Sequence, residues 1–139
     1  VFQCALRHNG FFRYNVGDMF IITFERASEA LEAAVGMARR LQEVSEQWEV
    51  KGLPPRPFIF GLDFGPVRFI LGRVYGLSVS RVAPALAQLG RGIVVSLAFW
   101  EKIIEEDAGR ASKTQILSRD TARLKGFEKA IEILVLSPS

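Results

Sequence analysis

An aspartate follows a glycine at Gly17-Asp18, inside the stretch Arg13-Tyr14-Asn15-Val16-Gly17-Asp18-Met19-Phe20 and between two apolar runs. Glycine supplies a positive φ and aspartate bonds to nearby backbone, so the pair suits a tight turn. A carboxylate held at such a turn can also coordinate a divalent cation beside a polyphosphate. Both readings of Asp18 stand open: a residual metal or phosphate locus, and plain turn chemistry. Other metal donors are scarce. His8 is the only histidine and Cys4 the only cysteine, which excludes a structural zinc site and an internal disulfide. A single thiol fits a reducing compartment, and the cytoplasm is the expected location.

The elements around Asp18 can be read from pattern. Residues 1–8 read as the end of a helix, stopped by Asn9-Gly10. Phe11 to Tyr14 reads as a strand, Asn15 to Asp18 as a turn and Met19 to Phe24 as the partner strand. Phe20, Ile22 and Phe24 occupy one face of that second strand, Met19 and Ile21 the other. A strand apolar on both faces belongs in the middle of a sheet. Ser28 reads as the N-cap of a helix with Glu29 and Glu32 in its first turn, and Leu31, Ala34, Ala38 and Leu41 carry its period to about Trp48. Phe58 to Leu62 is a predicted strand, Asp63 to Pro66 a turn and Val67 to Leu71 a further strand. Val79, Val82, Leu86 and Leu89 mark a second helix closed by Gly90. Pro84 lies inside it and must bend it or delay its start. Gly92 to Ser96 reads as a short buried strand, with Ser96 capping a helix from Leu97 to Glu106. Asp107 to Ser112 reads as a loop, and the last strands fall at Thr114–Ser118 and Ile131–Leu136.

At 139 residues the chain fits one domain, and with 49% apolar residues and eleven phenylalanines it can bury a core. No apolar run approaches the roughly 18–20 residues of a membrane span. The net charge of +3 is scattered. Aromatics do not alternate with the basic residues as on a base-stacking surface, so no nucleic-acid partner is expected. Phe2, Phe11, Phe12, Phe69, Trp48 and Trp100 read as core or interface. The chain opens on Val1 rather than Met, and is read as a piece of a longer product.

Six segments share an order with one known family: Val16-Gly17-Asp18, the helix with Ala30, Ala33 and Ala34, Phe60 to Val67, Tyr75-Gly76 with Val79, Gly92 to Ser96, and Leu124-Lys125-Gly126-Phe127-Glu128. Together they resemble the catalytic domain of class III adenylate/guanylate cyclases from about Asn9 to Leu136. A Gly-Asp hairpin beside a long helix also resembles diguanylate cyclase domains, but the Gly92–Ser96 and Leu124–Phe127 segments have no counterpart there. The class III resemblance implies an α+β fold. It has a ferredoxin-like core, a cyclase-type mixed and antiparallel sheet, and flanking helices mainly on one face. The whole of residues 1–139 is then one cyclase-homology domain without its first strand. That strand would lie beside Met19 to Phe24 and would come from upstream of Val1 or from a partner chain.

The resemblance also assigns roles, and the residues at those places depart from the family pattern. Two aspartates hold two metal ions in the family, and two-metal chemistry needs carboxylates on both. One matches Asp18; the other belongs to the strand that this chain lacks. The purine-reading Lys and Asp fall on Tyr14 and Arg73. Neither reproduces the donor and acceptor pattern, since tyrosine has no cation and arginine accepts no hydrogen bond. The Asn and Arg that stabilise the transition state fall on Ser80 and Pro84. Arg81, one residue from Ser80, projects about 100° away around a helix and does not substitute. Lys125 is the last phosphate-binding candidate, and a solvated strand-end charge is the simpler reading. The expected role is a non-catalytic, dimerising signalling module, as a homodimer or with a second cyclase-like domain. The rivals are a divergent cyclase acting on ATP or GTP and a sensor of purine nucleoside triphosphates. Mg²⁺ or Mn²⁺ would accompany any bound nucleotide.

Overall fold

The computed structural model describes residues 2–52, 59–124 and 126–138. A four-stranded mixed sheet forms the centre. It comprises β3 (Phe60–Leu62), β6 (Ile93–Ser96), β8 (Ile131–Leu136) and β7 (Ile116–Ala122), in the order β3-β6-β8-β7. β3 runs parallel to β6, and the remaining pairs are antiparallel. Two hairpins stand apart from it: β1 (Phe11–Val16) with β2 (Met19–Thr23), and β4 (Arg68–Ile70) with β5 (Arg73–Tyr75). The helices are α1 (Phe2–Arg7), α2 (Ala27–Val50), α3 (Ala83–Gln88), α4 (Leu97–Glu106) and α5 (Ala108–Lys113). The α+β class, the mixed sheet and the flanking helices are as expected.

Alternation along β6 and β8 divides the core. Ile93, Val95, Leu134 and Leu136 point to one face and pack with Leu31 of α2 and with Phe99, Trp100 and Ile103 of α4. Val94, Ile133 and Val135 point to the other and pack with Leu86 of α3 and Leu124. Helices therefore cover both faces, where cover mainly on one was expected. All of β6 is buried, so each of its side chains contributes about 1.5–3 kcal/mol of transfer free energy if apolar. Gly61 lets α3 lie directly on β3. A Cβ there would meet the Ala83 carbonyl oxygen, with the Ala87 nitrogen at 2.5 Å.

Several local expectations are corrected. The first strand continues to Val16, which leaves Gly17 and Asp18 as a two-residue turn with Gly17 at φ +57°. Among the described residues β2 is not central: its ladder partner is β1, and Phe20 is 47% exposed. Apolar residues on both faces here serve two small cores instead, Ile22 against Ala33 and Met37, and Ile21 with Val74 and Val79. Ser28 is not the cap of α2: that helix starts at Ala27 with Arg26 at the N-cap and no side-chain bond from it. Of the expected strand Phe58–Leu62, the part from Phe60 is a strand, while Phe58 lies outside the described residues. β5 was not anticipated. It arises because Leu71 (φ +49°) and Gly72 (φ +77°) turn the chain back after β4. Asp107 accepts a hydrogen bond from the Arg110 amide at 2.9 Å and nucleates α5 where a loop was expected. β7 extends to Ala122 rather than stopping at Ser118.

Candidate functional site

The segment after Tyr75-Gly76 starts as a π-helical turn, Ser78–Val82, and tightens into α3 at Ala83. Pro84 explains the wide turn. It has no N–H to give to the Ser80 carbonyl four residues earlier, and the Ala83 amide reaches back five residues to Ser78 instead. Pro84 occupies the first turn of α3, half-buried. The Ser80 hydroxyl donates to the Gly76 carbonyl at 2.9 Å, the same oxygen that takes the Ser80 amide at 3.0 Å. Its hydrogen is thus engaged with the main chain of its own turn.

A small core of Ile21, Val74 and Val79, with Met19 and Val67 against it, brings β2, β5 and the π-turn together. The candidate side chains do not follow. Arg73 neighbours buried Val74, so strand alternation turns it to the opposite, exposed face. Tyr14 is 38% exposed on β1, and Asp18 is exposed at the hairpin tip. Lys125 lies outside the described residues. No group of three or more His, Cys, Asp or Glu side chains gathers anywhere among the described residues. Asp18 alone does not make a two-metal site, so the donor set described does not fit the pair of ions that the resemblance implies.

Three features of this region and its support escape pattern reading. The Arg13 guanidinium lies over Phe69 at 4.7 Å and Phe11 at 5.0 Å, and its Nε donates to Thr23 Oγ1 at 2.8 Å. It fastens the two hairpins to each other through cation–π contact. Asp63, at the exit of β3, accepts a short hydrogen bond from the Ser96 hydroxyl, which in turn accepts from the Phe99 amide at 3.1 Å. Ser96 was legible as the cap of α4, but its Asp63 partner 33 residues away was not.

Glu106 is the third. From the end of α4 it accepts at Oε2 from the Ala27 amide (3.1 Å), and at Oε1 from the Ser28 amide (3.0 Å) and hydroxyl (2.9 Å). Burial opposes its ionisation, but the Ser28 and Ala27 amides, the Ser28 hydroxyl and the charge of Arg26 outweigh burial and lower its pKa.

An open groove of about 420 Å³ runs over the β7–β8 face beside Leu97, between Arg119, Asp120 and Glu132. None of the residues singled out from the sequence lines it.

No protein-family model matches the chain, and no curated protein is similar to it in sequence. Solved structures are similar in fold. An adenylate/guanylate cyclase/hydrolase from Silicibacter pomeroyi superposes with a TM-score of 0.77 at 18% identity, covering 96% of this chain and 76% of that one. The adenylyl cyclase CyaB from P. aeruginosa gives 0.72 at 18% identity, over 99% and 76%. The guanylyl cyclase Cya2 gives 0.71 at 20% identity, over 96% and 73%. The domain therefore has the fold of an adenylate/guanylate cyclase domain. No helix among the described residues is long and apolar enough to cross a membrane.

Proposed function

We propose that this domain is a non-catalytic, cyclase-like signalling module that acts by pairing with a second copy of itself or another cyclase-like domain. The observation that carries this reading is the helix after Tyr75-Gly76. At the two positions to which the resemblance assigns transition-state stabilisation stand Ser80, whose hydroxyl serves the Gly76 carbonyl, and Pro84, which has neither charge nor N–H. Contacts of that kind are worth about 2.7–4 kcal/mol each, so losing both slows turnover about 10⁴-fold or more. Exposed Phe11 (60%), Phe20 (47%) and Phe12 (41%) on the first hairpin supply apolar surface for pairing. A stable pair buries upwards of about 1,200 Å².

The test is a cyclase assay on the purified chain with ATP and with GTP, in Mg²⁺ and in Mn²⁺, run beside light scattering. The expected result is no cyclic nucleotide above a heat-killed control and the mass of a dimer at tens of micromolar. Cyclic nucleotide formation abolished by Asp18→Ala would favour the divergent cyclase, which releases pyrophosphate as it cyclises. Calorimetry with ATP or GTP and magnesium separates the sensor from the pure pairing module. On the same reading, β2 pairs on the side away from β1 with a strand from outside these residues or from a partner chain. Slow amide exchange across Met19–Thr23 in the intact gene product, but fast exchange in residues 1–139 alone, is the expected signature.

A further inference from the structure

We infer that the groove over the β7–β8 face is a binding site for a small zwitterion, a free α-amino acid with an apolar side chain. β7 is the outer strand of the four-stranded sheet, and no groove residue belongs to either hairpin, so occupancy here is separate from pairing. Register sets the composition of the groove. Arg119 lies opposite Leu134 and Thr121 opposite Glu132, and alternation puts all four side chains on the face that α4 packs against. Leu97, at the start of α4, and Leu134, only 1% exposed, supply an apolar floor. Arg119, Thr121 and Glu132 stand exposed around it. The volume of about 420 Å³ lies within the about 300–1,000 Å³ of small-molecule sites.

Charge selects the ligand. Asp120, which also borders the groove, is held by Arg91 at 2.9 Å. Arg119 and Glu132 are diagonal neighbours of opposite sign across the two strands, a spacing at which such side chains can meet. Yet among the described residues neither makes an ion pair or a side-chain hydrogen bond. Charge on an edge strand deters further strand pairing by itself, but that task needs no apolar floor between the charges. A lone anion here would face Glu132 and a lone cation would face Arg119. A molecule carrying both charges satisfies both: its carboxylate accepts the paired N–H groups of the guanidinium, and its ammonium donates to Glu132 and to the Thr121 hydroxyl. The side chain then covers Leu97 and Leu134.

The experiment is an NMR titration of the backbone amides of the full chain with leucine and phenylalanine. N-acetyl-leucine, leucinamide and glycine are run beside them, each to about 10 mM. The two amino acids are expected to saturate with a Kd of about 1 mM or below and to move the amides of Leu97, Arg119, Thr121 and Glu132. Each blocked analogue, and glycine, should bind about tenfold more weakly or worse. Arg119→Gln should weaken leucine about tenfold without weakening leucinamide, and Glu132→Gln should weaken leucine without weakening N-acetyl-leucine. Both positions are exposed, so neither change should lower the melting temperature appreciably. The site is refuted if neither amino acid gives saturable shifts, if glycine matches leucine, or if a blocked analogue binds as tightly as leucine. Shifts that survive both substitutions unchanged refute it equally.

Discussion

Removing the carboxylate of Glu106 should loosen the joint between α4 and the start of α2. Its side chain is 10% exposed and gives one oxygen to Ala27 and the other to Ser28, with Arg26 Nε at 3.6 Å. Arg26 at the N-cap contributes no side-chain bond of its own, so Glu106 is the cap, supplied from another helix. Loss of an ordinary cap costs about 0.5–2 kcal/mol, and favourable charge at a helix N-terminus adds about 0.3–1 kcal/mol. For Glu106→Ala, about 2–3 kcal/mol is expected, which for this length lowers Tm by about 7–10 °C. Glu106→Gln should also destabilise, because only one of its ends can accept; an amide NH₂ would face the Ala27 or Ser28 donors.

The pH dependence follows from the sign of the shift. The folded pKa lies below the ordinary glutamate value of 4.5, so the stabilisation is fully present above that pH and is lost as pH falls through the folded value. Thermal melts of wild type and Glu106→Gln, followed by circular dichroism from pH 7 to pH 3, should converge in acid. Equal melting temperatures at pH 7, or a gap that stays constant down to pH 3, would refute the reasoning.

Two further substitutions probe how the central sheet holds the region after Gly76. Gly61→Ala should cost about 1–3 kcal/mol or more in urea unfolding, since the added methyl meets α3 backbone rather than a movable side chain. Ser96→Ala should cost about 1–2 kcal/mol by removing the cap of α4 and the donor to Asp63, whereas Ser96→Thr should restore most of it.

Much of the fold was legible because it rests on short-range chemistry. The Leu97–Glu106 helix has its predicted limits, since Ser96 caps it and its apolar residues recur at helical spacing. What pattern missed was contact between distant residues. Ser28 looked like a cap because its type suits one, but a carboxylate 78 positions away takes both its amide and its hydroxyl. β5 was hidden because Leu71 is an unusual residue for a left-handed turn, and a turn without its usual residues gives no signal. The site was legible only by resemblance. No spacing rule would have paired Tyr14 with Arg73 or Ser80, and the structure turns these three outward from the small core that joins their elements.

That small core separates two tasks that a catalytic domain performs together. Ile21, Val74 and Val79 fix the relative placement of hairpin, hairpin and helix start through apolar contact alone. Arg13 adds a polar clasp between two phenylalanine rings and Thr23. None of these residues needs an acidic or nucleophilic neighbour, so the arrangement does not rest on the side chains of Tyr14, Arg73 or Ser80. The missing N–H of Pro84 is accommodated by the π-turn that Ser78–Val82 forms. A scaffold held this way can lose its chemistry and keep its surfaces, because packing and reactivity draw on different side chains.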